Sequence, residues 1–287
     1  MAIIVDENTR VLVQGITGHQ GSFHTGEMIK FGANVVAGVT PGKGGQEVHG
    51  VPVYDTVEEA MEMEPNATMI AVPAPYVKDA AFEALYNGIK VLHILTEGVP
   101  FHDSMEIVSY AKTKGAVIVG PNGPGIASPF KAKVGIMPNS IFAEGFVGVA
   151  SRSGTLTYEI VNALTQNNIG QSTVIGLGGD PIVGLSFVDV LHMFEQDEQT
   201  KAVVLVGEIG GTAEEDAAEY IKRDVSKPVV AYIAGRTAPP GKRMGHAGAI
   251  ITRGMGTAES KIRAFEEAGV PVAKFPTDVP NLLQNIL

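Results

Sequence analysis

Two periods alternate along this chain. Short β-branched runs, in which nearly every position is apolar, give way to segments whose apolar residues recur every three or four positions. The runs "RVLVQG", "ANVVAGV", "ATMIAVP", "KVLHILTEG" and "AVIVGPN" read as strands. Helical segments stand between them over 20–32, 76–88 and 103–115, the first stopped by Gly32. A further helix opens at residue 56, where Thr56 and Glu59 have capping-box spacing. From residue 146 the alternation restarts. Strands are expected at "FVGVAS", "STVIGLGG", "AVVLVGEIGG", "PVVAYIAG" and "PVAKFP", and helices over 154–167, 184–196, 212–224, 257–269 and 278–287.

Strands separated by helices make parallel sheets, because a parallel crossover needs a connection long enough to hold a helix. Between the two alternating halves lies "GPNGPGIASPFKAKVGIMPNSIFAEG", dense in Pro and Gly and without clear periodicity. A domain boundary is expected in or before it, near residue 122. The expectation is two doubly wound α/β domains, with ligands at the carboxyl ends of their strands.

Composition narrows the chemistry. The chain has 287 residues, 45% hydrophobic and 18% charged, enough to bury full cores. Its net charge of −10 argues against nucleic acid or an anionic membrane as a main partner. With no cysteine, disulfides, thiolate metal sites and cysteine catalysis are excluded. No apolar run approaches the roughly 20 residues that span a bilayer, and "MAIIVDENTRVLVQG" carries no secretory pattern. A cytoplasmic protein is expected.

After the first strand comes "GITGHQG", with glycines at 15, 18 and 21, a variant of the dinucleotide fingerprint. Small residues there let backbone N–H groups at a helix start approach a phosphate. NAD-binding folds carry an acid about 20 residues further on. Here that region reads "VVAGVTPGKGG", with Lys43 instead. Lys43 either meets a phosphorylated ribose, as in NADP or coenzyme A, or stands in solvent. No G-x-x-x-x-G-K-[ST] loop occurs, so ATP, if used, binds elsewhere or on another chain.

In the second half, "SRSGTLTYE" places Ser153, Gly154 and Thr155 at a strand-to-helix turn. The turn is either a plain hydroxyl cap or an anion site built from free N–H groups and the helix dipole. Glu208, in "GEIGG", ends a strongly apolar strand. A carboxylate there is either a surface acid or a partner that fixes the tautomer of an imidazole. His246 stands in "PPGKRMGHAGAI", among glycines and alanines, with Lys242 and Arg243 upstream. Of the other histidines, His192 falls in an amphipathic helix and His93 in an apolar strand as a satisfied core residue. His49 and His102 read as loop residues, and His19 and His24 flank the first glycine loop.

Together, "GKRMGHAGAI", "SRSGTLTYE", "GEIGG", "GGDPI", "TPGKGG" and "GPNGPG" closely resemble the α subunits of succinyl-CoA synthetases, among the nucleoside-diphosphate-forming acyl-CoA synthetases, over essentially the whole chain. The resemblance implies a Rossmann-like CoA-binding domain over 1–121 and a flavodoxin-like phosphohistidine domain over 122–287. It places CoA contacts on Thr17, Gly18, His19, Gln20, Lys43, Thr96, Glu97 and Gly98. It makes His246 the phosphohistidine and Glu208 its partner. It puts phosphate on Ser153, Gly154 and Thr155, and links Tyr158 to the carboxylate substrate. Relatives usually carry serine at the position of His19, and many carry cysteine where Gly123 stands, which rules out an obligatory thiol role there. The implied partner is a β subunit with an ATP-grasp domain that holds ATP or GTP with Mg, in an αβ or α₂β₂ assembly. No metal is expected in this chain. The alternatives are a malate–CoA ligase or other acyl-CoA synthetase α subunit, a non-catalytic CoA-sensing module, and an NADP-dependent oxidoreductase.

Overall fold

In the computed structural model, which describes residues 2–239, 241–252 and 255–287, the apolar runs form buried parallel strands. Pro240 of the histidine loop lies outside the described residues. Packing divides the chain into two units. One contains Ile4–Asn139 with Ile182–Gly184; the other contains Ala2 and Ile3 with Ser140–Pro181 and Leu185–Leu287.

The first unit runs β1 (Arg10–Gln14), α1 (His19–Phe31), β2 (Asn34–Val39), β3 (Glu47–Val48), β4 (Val51–Tyr54), α2 (Val57–Ala60), β5 (Ala67–Ile70), α3 (Val77–Tyr86), β6 (Val91–Ile94), α4 (Phe101–Thr113), β7 (Val117–Val119), β8 (Gly125–Ser128) and β9 (Ala132–Gly135). Its main sheet has the order β3-β4-β2-β1-β5-β6-β7. Every pairing in it is parallel except that of the edge strand β3 with β4. Leaving β3 aside, this is the 3-2-1-4-5-6 order of a Rossmann fold. Right-handed crossovers leave β1 and β5 in opposite directions, which places α1 and α3 on opposite faces. Val11, Leu12 and Val13 on β1 are essentially sealed from solvent. Burial of each such side chain contributes about 1.5–3 kcal/mol. That is the physical return on the unbroken apolar run.

The second unit runs β10 (Glu144–Ser151), α5 (Gly154–Gln166), β11 (Gln171–Gly176), α6 (Phe187–Gln196), β12 (Ala202–Glu208), α7 (Ala213–Asp224), β13 (Val229–Ala234), α8 (Ala258–Glu267), β14 (Val272–Ala273) and α9 (Val279–Gln284). Its strands run parallel in the order β14-β13-β12-β10-β11. Counted within the unit this is 2-1-3-4-5, the flavodoxin-like order, with its switch point between β10 and β12.

Local signals act where they were expected. Gly32 ends α1 at φ 95° and donates to Met28 and Ile29 carbonyls. Ser186 caps α6 in a reciprocal box with Asp189. The Thr56–Glu59 box is half made: Thr56 Oγ1 accepts from the Glu59 N–H, but the Glu59 carboxylate accepts from Asp55 N–H, and α2 closes after one turn.

The stretch around residue 122 differs from its expectation as featureless. It contains the antiparallel hairpin β8–β9, wholly buried and therefore without the alternation of a half-exposed strand. β9 packs on α1 and β5, the Gly135 N–H meets Met28 Sδ, and Asn139 Nδ2 donates to the Glu27 carbonyl. The packing division consequently falls between Asn139 and Ser140 rather than near residue 122. His102, expected in a loop, lies in the first turn of α4. His93 is buried with only Nε2 satisfied, 2.9 Å from the Gly123 carbonyl; Nδ1 has no partner. Burial pushes its pKa down to about 4.

Candidate functional site

In the second unit the loops after β10, β12 and β13 leave the carboxyl ends of neighbouring parallel strands, so their side chains converge. β12 is buried throughout and delivers Glu208 at its last position, with a side chain only 8% exposed. The fold brings this acid to the imidazole: His246 Nδ1 lies 3.0 Å from Glu208 Oε1 and 2.9 Å from Oε2. An ionised carboxylate only accepts, so Nδ1 carries the proton in this pairing and the ring's other lone pair resides on Nε2.

Glycines make the close packing of the histidine loop feasible. A β-carbon on Gly179 would stand 2.5 Å from His246 Cγ, and one on Gly210 would stand 2.0 Å from the Gly248 carbonyl oxygen. The loop is pinned internally by Met244 N–H to Ala249 O at 2.9 Å and Ala249 N–H to His246 O at 3.1 Å. The imidazole is 25% exposed, half-buried against Glu208 and Gly179. Lys242 and Arg243 are exposed.

Ser153 caps α5, its Oγ accepting from the Leu156 N–H at 3.4 Å, and its own N–H meets Ser151 Oγ at 3.1 Å. Gly154 and Thr155 follow as the first residues of the helix, where backbone N–H groups lack intrahelical acceptors. Tyr158 lies one turn on, half-buried, and that burial raises the pKa of its hydroxyl.

A buried charge network behind Glu208 was missed from sequence. Arg152 Nη2 lies 3.5 Å from Glu208 Oε1, while its Nη1 reaches Glu214 Oε1 at 3.1 Å and the Gly210 carbonyl at 3.3 Å. Glu214 also accepts from the Glu208 N–H at 3.1 Å and from Lys261 Nζ. Both Glu214 and Lys261 are wholly buried. A readable signal existed: Glu214 shares the buried stripe of Ala217, Ala218 and Ile221 on α7, and Lys261 shares that of Ala258 and Phe265 on α8. An acid and a base at core positions of two adjacent helices imply a pair.

In the first unit Gly15 turns the chain at φ 85°, where a β-carbon would stand 2.6 Å from the Ala71 carbonyl oxygen; Gly21 lets α1 ride over β1, its own β-carbon position being 2.1 Å from the Gly15 oxygen. Gly18 caps α1 with no side-chain bond, and His19 and Gln20 are exposed in the first turn. A cavity of about 570 Å³ opens at the strand ends, lined by Gln14, Gly15, Val39, Val72, Pro73 and Tyr76 among others. The predicted CoA contacts are not among its lining residues. Apart from His19 and Gln20 in the first turn of α1, they occupy loops that follow β1, β2 and β6: Thr17 N–H faces Thr40 Oγ1 at 3.4 Å, and Thr96 Oγ1 donates to the Val72 carbonyl at 2.6 Å. Lys43, Glu97 and Gly98 are exposed. Gln14 and Val72 went unnoticed in the sequence because each reads as strand or turn.

Among the described residues no cluster of three or more His, Cys, Asp or Glu side chains could hold a metal ion. Nor, among them, is any helix long and apolar enough to cross a membrane.

Comparison with known proteins agrees with this division of features. A family model described as a CoA binding domain matches residues 6–98, and one described as CoA-ligase matches residues 150–271. The first match falls in the first unit and the second, but for Ile182–Gly184, in the second unit, each including glycine-rich loops of that unit, and together they define the class as a CoA ligase. Among curated proteins, "Succinate--CoA ligase [ADP-forming] subunit alpha 2" of Archaeoglobus fulgidus is 61% identical over all of this chain and all of its own. The corresponding α subunit of Aquifex aeolicus is 54% identical over 100% of this chain and 95% of its own. This chain belongs to the family of succinate–CoA ligase α subunits. Among solved structures, ATP citrate lyase from Methanothrix soehngenii, in complex with citrate and coenzyme A, matches with a TM-score of 0.88 at 24% identity. That match covers 99% of this chain and 50% of the lyase, so the chain spans half of that protein's length and shares its fold there.

Proposed function

We propose that this chain is the α subunit of a succinyl-CoA synthetase and carries the phosphoryl group of the reaction on His246. The observation that supports this most directly is the Nδ1 contact to Glu208, which orients a partly exposed imidazole for attack through Nε2. In this reading the first unit binds coenzyme A through Thr17, Gly18, His19, Gln20, Lys43, Thr96, Glu97 and Gly98. Phosphate held by Ser153, Gly154 and Thr155 attacks the thioester of succinyl-CoA, giving succinyl phosphate and the CoA thiol. Nε2 then attacks phosphorus, the phosphorus–acyl oxygen bond breaks, and succinate leaves. Glu208 stabilises the positive charge that develops on the ring. The helix start supplies positioning and positive potential, which phosphoryl transfer chiefly needs. Tyr158 contacts the substrate carboxylate.

The loop then presents the phosphohistidine to ADP or GDP on a β subunit, whose ATP-grasp domain holds the nucleotide and Mg. The ADP-forming names of the relatives favour ADP. An αβ or α₂β₂ assembly in the cytoplasm completes the reading. The test is incubation of the complex with γ-labelled ATP. We expect an acid-labile, base-stable label on this chain that is absent in His246→Asn. Label that persists in that variant refutes the assignment.

A further inference from the structure

We infer that Arg152 is a positioning residue that holds Glu208 as the acceptor for His246, an inference that rests on the phosphohistidine reading above. Arg152 stands between Ser151 and Ser153, on the loop that starts the proposed phosphate helix, yet its guanidinium turns toward the carboxylates. Nη2 lies against Glu208 Oε1 at 3.5 Å; Nη1 is divided between Glu214 Oε1 at 3.1 Å and the Gly210 carbonyl at 3.3 Å. The planar fork thus spans the two acids.

Each acid needs that cation. Glu208 and Glu214 are nearly or wholly buried and close enough that the Glu208 N–H donates to Glu214 at 3.1 Å. Lys261, buried on α8, neutralises Glu214 and also reaches Glu215 at 3.0 Å and the Gly211 carbonyl at 3.0 Å. Two cations and two buried acids balance, with Glu215 partly exposed at the margin. Without Arg152, one lysine remains for both acids. Glu208 then loses the donor that fixes its orientation and turns toward another cation or water. Turning away ends the acceptance of the Nδ1 proton, and Nε2 ceases to be the defined nucleophile. The guanidinium also fixes where the loop lands: a β-carbon on Gly248 would stand 3.2 Å from Nη2. Arg152 therefore acts through Glu208 on the ring, and the network behind it acts on Arg152.

The experiment compares Arg152→Met and Arg152→Lys with the parent in the complete complex, with ring-¹⁵N histidine only in this chain. His246 signals are assigned by their loss in His246→Asn. In the parent, Nδ1 should resonate as a protonated ring nitrogen and Nε2 as an unprotonated one. Arg152→Met should bring the two signals together and slow phosphorylation by labelled ATP about tenfold or more. Arg152→Lys, a point charge that cannot span both acids, should fall between. It carries the test alone if the methionine variant does not fold. Parental rate in the variants overturns the inference. So does a slowed rate with the parental nitrogen pattern, which would place Arg152 on substrate or in the fold instead. If the parent takes no label at all, the phosphohistidine reading fails, and the nitrogen comparison still decides whether Arg152 sets the tautomer.

Discussion

Gly179→Ala tests the docked position of His246 without touching either member of the pair. Gly179 does not adopt a glycine-only φ, so alanine suits its backbone. The added β-carbon would stand 2.5 Å from His246 Cγ, 2.6 Å from Cδ2 and 2.7 Å from Nδ1, over the ring itself. Carbon atoms settle at about 3.5–4.0 Å, so the ring must retreat by roughly 1 Å. From 2.9–3.0 Å, the Nδ1 contacts with Glu208 then stretch toward about 4 Å, beyond hydrogen-bonding range. The loop has little freedom to compensate, because its Gly248 carbonyl already rests on Gly210. Losing one hydrogen bond to a charged group removes about 1.5–3 kcal/mol, or roughly ten- to a hundredfold in the step it supports. Single-turnover phosphorylation by labelled ATP in the complete complex measures that loss. Coenzyme A affinity, measured by calorimetry, should stay at the parental value. A phosphorylation rate within about threefold of parent, less than 1 kcal/mol, would show that the docked ring is not the reactive state.

Two further outcomes concern the first unit. Lys43→Ala should weaken coenzyme A binding by calorimetry while leaving labelling of His246 by ATP intact; loss of both together contradicts the division of roles between the units. Burial holds His93 neutral, with its pKa lowered from 6.5 to about 4, so the unfolded chain binds the extra proton first as pH falls. Native stability should accordingly decline between about pH 6.5 and 4, by about 3 kcal/mol in full. Urea unfolding of His93→Gln should show a shallower decline across that window, and equal slopes would assign the acid sensitivity to other groups.

The fold was legible where one signal dominated. Continuous apolar runs separated by helical periods are enough to specify parallel strands in two doubly wound units; the strand orders were implied only by the family resemblance. The hairpin β8–β9 failed that test for a physical reason. Gly125 and Gly135 face each other so closely that a β-carbon on either would stand within 2.7 Å of the other's α-carbon. The glycines that read as loop punctuation are what allow these two strands to pair. A similar ambiguity hid β4, for which no strand was expected: "VPVY" carries a proline, and it lies one strand from the sheet edge.

The site divides along a similar line. Glu208 and His246 were readable because each breaks its surroundings: an acid closing an apolar strand, and an imidazole among side chains too small to hide it. Arg152, Glu214 and Lys261 were passed over, because charges on amphipathic helices and loops ordinarily face water. Their positions argue otherwise. Glu214 and Lys261 occupy the apolar stripes of α7 and α8, and desolvating either alone would cost several kcal/mol. Paired, the two charges offset that cost for each other, and Glu214 keeps an oxygen for the Arg152 guanidinium. What the pairing secures is the direction of Arg152, and through it the one carboxylate that orients His246. The His246–Glu208 pair and the Glu214–Lys261 pair in the core are joined by Arg152, which contacts one acid of each.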